Sequence, residues 1–360
     1  MLRWASMNTG TYFYQDKQLF GLDIGFSSLK VMQVEWVNKQ PTVIGYGIGA
    51  FDDKAIKDGV IIDPELVARA AQELFKQHLV GEITTRRVAV AVPASRTFSR
   101  GIKLPKLNNK ELAEAVLTEA EQYIPMPVGE LYLDYDVISR SEQEIELFAV
   151  AIPKKIIDSY VTLVRLMGLE VVTMETSIGA AARLFLKTEL TDVPTLLIDF
   201  GSISTDITIF DKNLIVTGTV AGGGDDFTAR IAEKLGVTKA EAHIIKTKYG
   251  LDFSKKQKDI KEALSPMLEL LLKEIRRMIR YYEERYGSTK KISQVVTMGG
   301  GANMPGLNAL MTDLLRLPVH TSDPWQHIKF SKLQPPNNLE RSMYVTVSGL
   351  SLMNPKEIFK

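Results

Sequence analysis

The chain has no cysteine in its 360 residues. That excludes a disulfide scaffold and any thiolate metal site, and it fits a reducing compartment. Excess charge is also lacking. Lys and Arg number 44 against 43 Asp and Glu, a formal net charge of +1. No global field therefore draws the chain to nucleic acid or to an anionic membrane. No apolar run approaches the ~18 uncharged residues of a spanning helix. The opening stretch, MLRWASMNTGTYFYQDKQ, has no continuous apolar segment of the signal-peptide kind. It reads as an irregular leader whose Tyr12, Phe13 and Tyr14 are free to pack. Neither a Walker A loop nor a Rossmann G-x-G-x-x-G is present.

What is present is a chain 45% hydrophobic and 24% charged, long enough for two or more packed domains. Residues 18–50 read as three strands separated by polar or glycine turns. Asp63 and Pro64 then open a helix whose apolar side chains recur at helical spacing. RVAVAVP follows as a strand covered on both faces. Residues 96–167 read as an inserted β-α-β-β-α unit. Its first helix starts at Asn108 with Glu111 three places on, LYLDYDVI and EIELFAVAI form a hairpin, and a helix from about Lys154 to Met167 closes it. LEVVTMETSIGAAARLF returns to the first domain. The second half opens on LLIDFGSISTDITIF and continues through a helical stretch, Lys239 to Tyr286. There SPMLELLLKEIRRMIRYYEERYG reads as a helix capped by Ser265 with Pro266 first and Gly287 after its end. Arg276, Arg277 and Arg280 read as a solvated face paired with neighbouring glutamates. Strands alternating with helices give an α/β fold.

One pattern occurs twice. FGLDIGFSSLKVMQV and LLIDFGSISTDITIF both run apolar, Asp, apolar, Gly, polar turn, apolar. Asp23 matches Asp199, Gly25 matches Gly201 and Ser28 matches Ser204. Glycine permits positive φ, and successive amides in such a turn can face one concavity suited to phosphate oxygens. Ser27, Ser28, Ser204 and Thr205 add hydroxyls, and Lys30 adds a mobile positive charge at the rim. Asp23 and Asp199 stand at strand ends, where a hydrated Mg²⁺ could bridge carboxylate and phosphate. A single D-x-G is as easily an ordinary turn; two matched copies are harder to dismiss. Gly299, Gly300 and Gly301 end another apolar strand, either as a tight strand-to-helix turn or as a close approach to a flat base or ribose. Gly222, Gly223 and Gly224 lead into a helix N-terminus suited to an anion.

The set LDIGFSSLK, IDFGSISTD and TMGGGANMPGL resembles the two phosphate loops and the adenosine loop of the actin-like ATPases. The resemblance spans nearly the whole chain. It implies an α/β fold of two ribonuclease-H-like lobes, with ATP and Mg²⁺ in the cleft between them. An inserted small β-α-β-β-α subdomain in the first lobe is similar to the FtsA and PilM families. TEAEQYIPMP and KEIRRMIRYYEERYG look most like the PilM family of type IV pilus assembly proteins. The parts would be a first-lobe core at 18–95 and 168–192, the insertion at 96–167, a second-lobe core at 193–230 and 292–360, and a helical subdomain at 231–291.

The resemblance makes Asp23, Gly25, Ser27, Ser28 and Lys30 the first phosphate loop. Asp199, Gly201, Ser204, Thr205 and Asp206 become the second, with Asp23 and Asp199 as metal candidates. Gly223 and Gly224 join the nucleotide contacts, and Gly299, Gly300 and Gly301 become the adenosine contact. Lys246 matches a ribose-contacting lysine. His243 stands where relatives carry Glu, unless Glu241 serves by a register shift. Glu175 falls where relatives orient the attacking water, although Thr176 follows it in place of Pro. As a family expectation, ATP acts more as a conformational cofactor than as fuel, and hydrolysis is slow. The implied partner is the cytoplasmic N-terminal peptide of a PilN-like inner-membrane protein, docked between the first lobe and the insertion. Pilus motor or platform proteins are further candidates. Nucleic acid is not expected as a partner, and the membrane is expected only through such partners. The chain is expected to be cytoplasmic and peripheral to the inner membrane. The competing classes are an FtsA-like filament protein, for which the terminal VSGLSLMNPKEIFK offers only a short apolar stripe interrupted by Pro355, and an actin-fold small-molecule kinase.

Overall fold

The computed structural model describes residues 17–188, 193–287 and 290–358. Tyr12, Phe13, Tyr14 and the leader lie outside them. The chain divides into two compact units. One holds residues up to Lys187 with Gln326–Pro335 and the stretch from Thr346 onward; the other holds Thr188–Trp325 and Pro336–Val345.

In the first unit β1 (Phe20–Ile24), β2 (Ser28–Val37) and β3 (Gln40–Ala50) form an antiparallel meander. Helix α1 (Pro64–Glu73) follows, with the Asp63 carboxylate accepting from Leu66 N at 2.9 Å and Pro64 in the first turn. β4 (Arg87–Val92) then runs parallel to β1, and every one of its residues is buried because both faces are covered.

The insertion supplies β5 (Phe98–Pro105), α2 (Asn109–Tyr123), β6 (Leu131–Arg140) and β7 (Glu144–Pro153). β7 pairs antiparallel with both β5 and β6. The predicted capping box at α2 is formed: Asn108 Oδ1 accepts from Glu111 N at 3.0 Å, and Glu111 Oε2 accepts from Asn108 N at 3.0 Å. Ile102, Leu104, Leu112, Val116, Ile145 and Leu147 give this piece its own small core.

Two expected boundaries shift. The sequence pattern puts helix α3 (Lys154–Leu166) in the insertion, but Ile156, Ile157, Tyr160, Leu163 and Val164 are buried with Leu22, Val67 and Val90 of the first unit's core. The insertion is therefore β-α-β-β. After α3 come β8 (Glu170–Thr176), parallel to β4, and α4 (Ser177–Thr188). The second shift concerns Gln326–Pro335 and the tail, both expected in the second lobe and both found in the first unit. Residues from Thr346 belong to the first unit. Backbone proximity fixes them there. A Cβ on Gly349 would meet the Ala180 carbonyl oxygen at 1.8 Å, and one on Gly21 would meet that of Val347 at 2.7 Å. The Ser351 hydroxyl donates to the Met32 carbonyl at 2.7 Å.

In the second unit β9 (Thr195–Phe200), β10 (Ser204–Asp211) and β11 (Asn213–Ala221) form another antiparallel meander. β12 (Gln294–Met298) lies parallel to β9, and β13 (Val319–Thr321) parallel to β12. The order β13-β12-β9-β10-β11 repeats the β8-β4-β1-β2-β3 order of the first unit. Helices α5 (Gly224–Leu235), α6 (Lys239–Lys248) and α7 (Gln257–Tyr286) come between β11 and β12. Ser265 does not cap a helix. α7 runs unbroken over 30 residues with Pro266 inside it. Its buried stripe begins at Ile260 and Leu264, ahead of the proline, and that burial outweighs the ~3 kcal/mol a mid-helix proline costs. Gly287 ends the helix at φ 92°. Arg276, Arg277 and Arg280 are exposed, and Arg277 pairs with Glu274, as expected.

Helix α8 (Leu307–Leu315) lies in the second unit; α9 (Val345–Ser351) then carries the chain into the first unit, ahead of the short α10 (Pro355–Ile358). Gly349→Ala should lower the stability of the first unit by about 2–3 kcal/mol, since a methyl there drives two backbones apart. Chemical denaturation monitored on first-unit probes checks this; an unchanged midpoint would mean α9 is not seated as described.

Candidate functional site

The two matched motifs fold into the same hairpin. In the first unit Gly25 N donates to Ser28 O at 2.8 Å; in the second Gly201 N donates to Ser204 O at 3.0 Å. Neither glycine has positive φ, so the conformational reason expected for them fails. What replaces it is room: a Cβ on Gly25 or Gly201 would press on that serine carbonyl at 3.3 or 3.0 Å. Between each glycine and serine stand two amides, of Phe26 and Ser27 in one turn and of Ser202 and Ile203 in the other. Among the described residues these four amides have no partner. Consecutive unpaired N–H groups at a tight turn are the donor set that an anionic oxygen fits.

The two turns differ in charge. Asp23 lies opposite Lys30 in the β1–β2 register. Lys30 is buried, not mobile at a rim, and its Nζ reaches Asp23 Oδ2 at 3.4 Å and Ser28 Oγ at 3.5 Å. The equivalent position in the second turn is Asp206, paired opposite Asp199. Burial pushes the Asp206 carboxyl up to about 6, even though the Thr219 hydroxyl donates to it at 2.6 Å and works the other way. The first turn is thus internally balanced, while the second concentrates acid. No group of three or more His, Asp or Glu among the described residues forms a ready metal cage. The two carboxylates of the second turn, Asp199 and Asp206, suit a cation that keeps most of its water.

Several predicted contacts act one layer behind these turns. Thr205 is buried and donates to Gly222 O at 3.0 Å. Gly224 N donates to Gly201 O at 2.8 Å, and Asp225 N to Ser202 O at 2.8 Å. Asp226 Oδ2 takes Gly223 N at 3.1 Å. These amides at the start of α5 are therefore spent on the second turn and on its own acid, not held open for an anion. Gly223 is required because a Cβ would meet the carbonyl oxygens of Gly201 and Ser202 at 2.5 Å each. Lys246 is buried and donates to Gly224 O at 2.6 Å and Thr228 Oγ1 at 2.8 Å; burial holds its pKa down, with Asp225 opposing. His243 is exposed on α6, and Glu241 is occupied by the Thr238 cap.

In the glycine triplet, Gly299 has φ 82°, and a Cβ there would meet Asp199 Oδ1 at 2.2 Å. A Cβ on Gly301 would meet the Phe200 Cβ at 2.8 Å, whereas one on Gly300 would meet only Met343, no closer than 3.8 Å. Ser342 secures the turn by donating to Gly299 O at 2.7 Å. Two of the three glycines thus serve the end of β9, and Gly300 alone is unencumbered.

Glu175 is not free. Both carboxylate oxygens accept from Arg183 on α4, with Arg183 Nη2 to Glu175 Oε2 at 2.8 Å and a second, shorter bond from Nη1. The Glu175 side chain is 9% exposed. No sequence motif marks Arg183. Its eight-residue offset from Glu175 crosses a strand-to-helix junction, which no periodic pattern marks.

The repeated sheet topology and paired turns define an actin-like fold. MreB5 of Spiroplasma citri bound to ADP shares it, with 13% identity over 93% of this chain and 95% of that one and a TM-score of 0.51. Residues 21–354 match the family described as type IV pilus assembly protein PilM, and the chain belongs to that family. The PilM–PilN type IV pilus biogenesis complex superposes with a TM-score of 0.80 at 24% identity, covering 93% of this chain and 98% of that one. Cell division protein FtsA of Bacillus subtilis is 25% identical over 345 residues, 84% of this chain and 78% of that protein. FtsA of Enterococcus faecalis is 24% identical over 340 residues, 83% of this chain and 77% of that protein. No helix among the described residues is long and apolar enough to cross a membrane.

The raised Asp206 carboxyl has a consequence for stability. Folding favours its protonated form, so the cost of ionising it grows as pH rises from about 4, the unfolded value, to about 6. Asp206→Asn cannot ionise and keeps an acceptor for Thr219. The nucleotide-free variant should exceed the parent by about 1–2 kcal/mol at pH 8, discounting for partial exposure, and lose the advantage at pH 4. Urea midpoints at both pH values decide it; a gain of equal size at pH 4 would exclude titration as the cause.

Proposed function

We propose that this chain is an ATP-binding component of a type IV pilus assembly platform, cytoplasmic and held at the inner membrane through the N-terminal peptide of a PilN-like protein. The observation that carries the nucleotide reading is the matched pair of hairpin turns, each with two consecutive unpartnered amides beside a strand-end aspartate. On this reading the amides of Phe26, Ser27, Ser202 and Ile203 and the hydroxyls of Ser27 and Ser204 hold phosphate oxygens. Magnesium belongs chiefly with Asp199, because Lys30 already balances Asp23; bound there, it would neutralise phosphate charge. Gly300, the one glycine of the triplet that no backbone crowds, is left to face the base or ribose, while Lys246 and Gly224 support the second turn from behind. The commitment of Glu175 to Arg183 supports slow hydrolysis, so that bound nucleotide sets conformation more than it supplies energy.

The peptide reading rests on the insertion. β6 is the last strand of its sheet, so one row of its backbone groups is available for strand addition. The Tyr132 hydroxyl on β6 donates to Asp158 Oδ1 on α3 at 3.1 Å, and Lys154 Nζ lies 5.6 Å from the Tyr132 ring centre. That end of the edge therefore lies beside α3, and an extended peptide would find backbone hydrogen-bond partners along it. The FtsA relatives favour a second reading, a nucleotide-dependent filament, which electron microscopy with ATP would reveal as polymers.

Asp199→Ala should abolish Mg-ATP binding in a calorimetric titration while leaving the thermal transition in place; wild-type affinity would exclude this site. Because α3 belongs to the core, the deletion that tests peptide docking is 98–153, closed by a short Gly-Ser linker. It should lose binding to the PilN-like N-terminal peptide and keep nucleotide binding. Retained peptide capture would move the docking site elsewhere.

A further inference from the structure

Asp23, Ala91 and Glu175 lie in one row across β1, β4 and β8, since Ala91 is the register partner of both acids. Register partners face the same side of a sheet. Here that side is the one where Ala91 packs with Ala180 of α4 and Leu350 of α9. At ordinary strand spacing the two acidic residues stand roughly 10 Å apart, with one methyl between them. A cation closes each end of the row. The Lys30 contact with Asp23 is a single bond at 3.4 Å. The Arg183 contact with Glu175 is bidentate and largely buried. Arg183 Nη1 also donates to the Gly349 carbonyl at 3.3 Å. Since Gly349 touches the Ala180 backbone, the guanidinium is anchored at the crossing of α4 and α9 as well as on the strand end.

We propose that Arg183 is a positioning residue that withholds Glu175 from reaction, so that ATP hydrolysis is limited by how often this ion pair opens. The inference rests on the nucleotide reading given above. In hydrolysis the water oxygen bonds to the γ-phosphorus. The bond to the β,γ-bridging oxygen breaks, its electron pair leaves with ADP, and a water proton passes to an acceptor. A carboxylate with both oxygens accepting from one guanidinium is poorly placed to orient that water or take its proton. Freed from Arg183, Glu175 occupies the same row as Asp23 and can do both.

The test compares Arg183→Gln and Arg183→Lys with the parent in single-turnover hydrolysis of Mg-ATP, beside calorimetric Kd values and thermal melts. Arg183→Gln should raise the hydrolysis rate on the order of tenfold at unchanged Kd. Arg183→Lys, which keeps the charge but only a point contact, should fall between and remains informative if the first variant does not fold. Adding Glu175→Gln to Arg183→Gln should cancel the rise, which a purely structural role for Arg183 would not predict. Folded Arg183 variants hydrolysing at or below the parent rate overturn the latch, as does a rise that persists in the double variant. A parent that fails to bind Mg-ATP at all overturns the nucleotide reading itself.

Discussion

An aspartate at the end of a buried strand brings charge to a place the sheet cannot solvate, and each unit must compensate for it. The first does so internally, with Lys30 seven residues beyond Asp23 and opposite it on the neighbouring strand. The second places Asp206 at that same offset from Asp199. An acid opposite an acid disfavours having both ionised, and burial raises the Asp206 carboxyl in the same direction. The repeat thus keeps the same backbone geometry in both units while its charge is unequal.

The glycines follow from this arrangement by distance more than by dihedral freedom. Gly299 and Gly301 leave space for Asp199 and Phe200 at the end of β9, and Gly223 leaves space for the carbonyls of the second turn. Because α5 spends its first amides on those carbonyls, the turn is held from behind and its own amides stay unpaired. Rigidity behind a site and unsatisfied donors in front of it are the conditions under which fixed dipoles bind an anion without reorganising. Lys246 belongs to the same support: it reaches the first residue of α5, not the turn itself.

Much of this was legible in the sequence because it is local. The D-x-G echo, the caps at Asp63 and Asn108, the doubly covered RVAVAV strand and the hairpin around SRSEQ each follow from neighbours within a few residues. What was not legible depends on contacts distant in sequence. α3 has the apolar stripe of any amphipathic helix, and nothing in its own residues says which sheet the stripe meets. The commitment of Glu175 to Arg183 needs the backbone to turn from β8 into α4. Pro266 misled for the opposite reason: a local rule made it a helix start, and the burial of Ile260 and Leu264 overrode that rule.

The placement of α9 bears on how the units depend on one another in folding. The second unit is nearly continuous in sequence, whereas the first is completed only when the stretch from Thr346 returns to it. Gly21 on β1 and Ala180 on α4 are both in backbone contact with that stretch. The central strand of the first sheet therefore keeps an uncovered face until residues synthesised after the whole second unit arrive. Closing so long a loop costs little more than closing one half as long, because the entropy grows only with the logarithm of length. The cost lies in time, during which Leu19, Ala89 and Ala91 lack their cover. Small side chains at two of those three positions limit the apolar surface exposed meanwhile, and they also let α4 and α9 approach closely enough for Arg183 to bond to both the strand end and Gly349. The packing that completes the first sheet and the ion pair that holds Glu175 are thus consequences of one helix crossing.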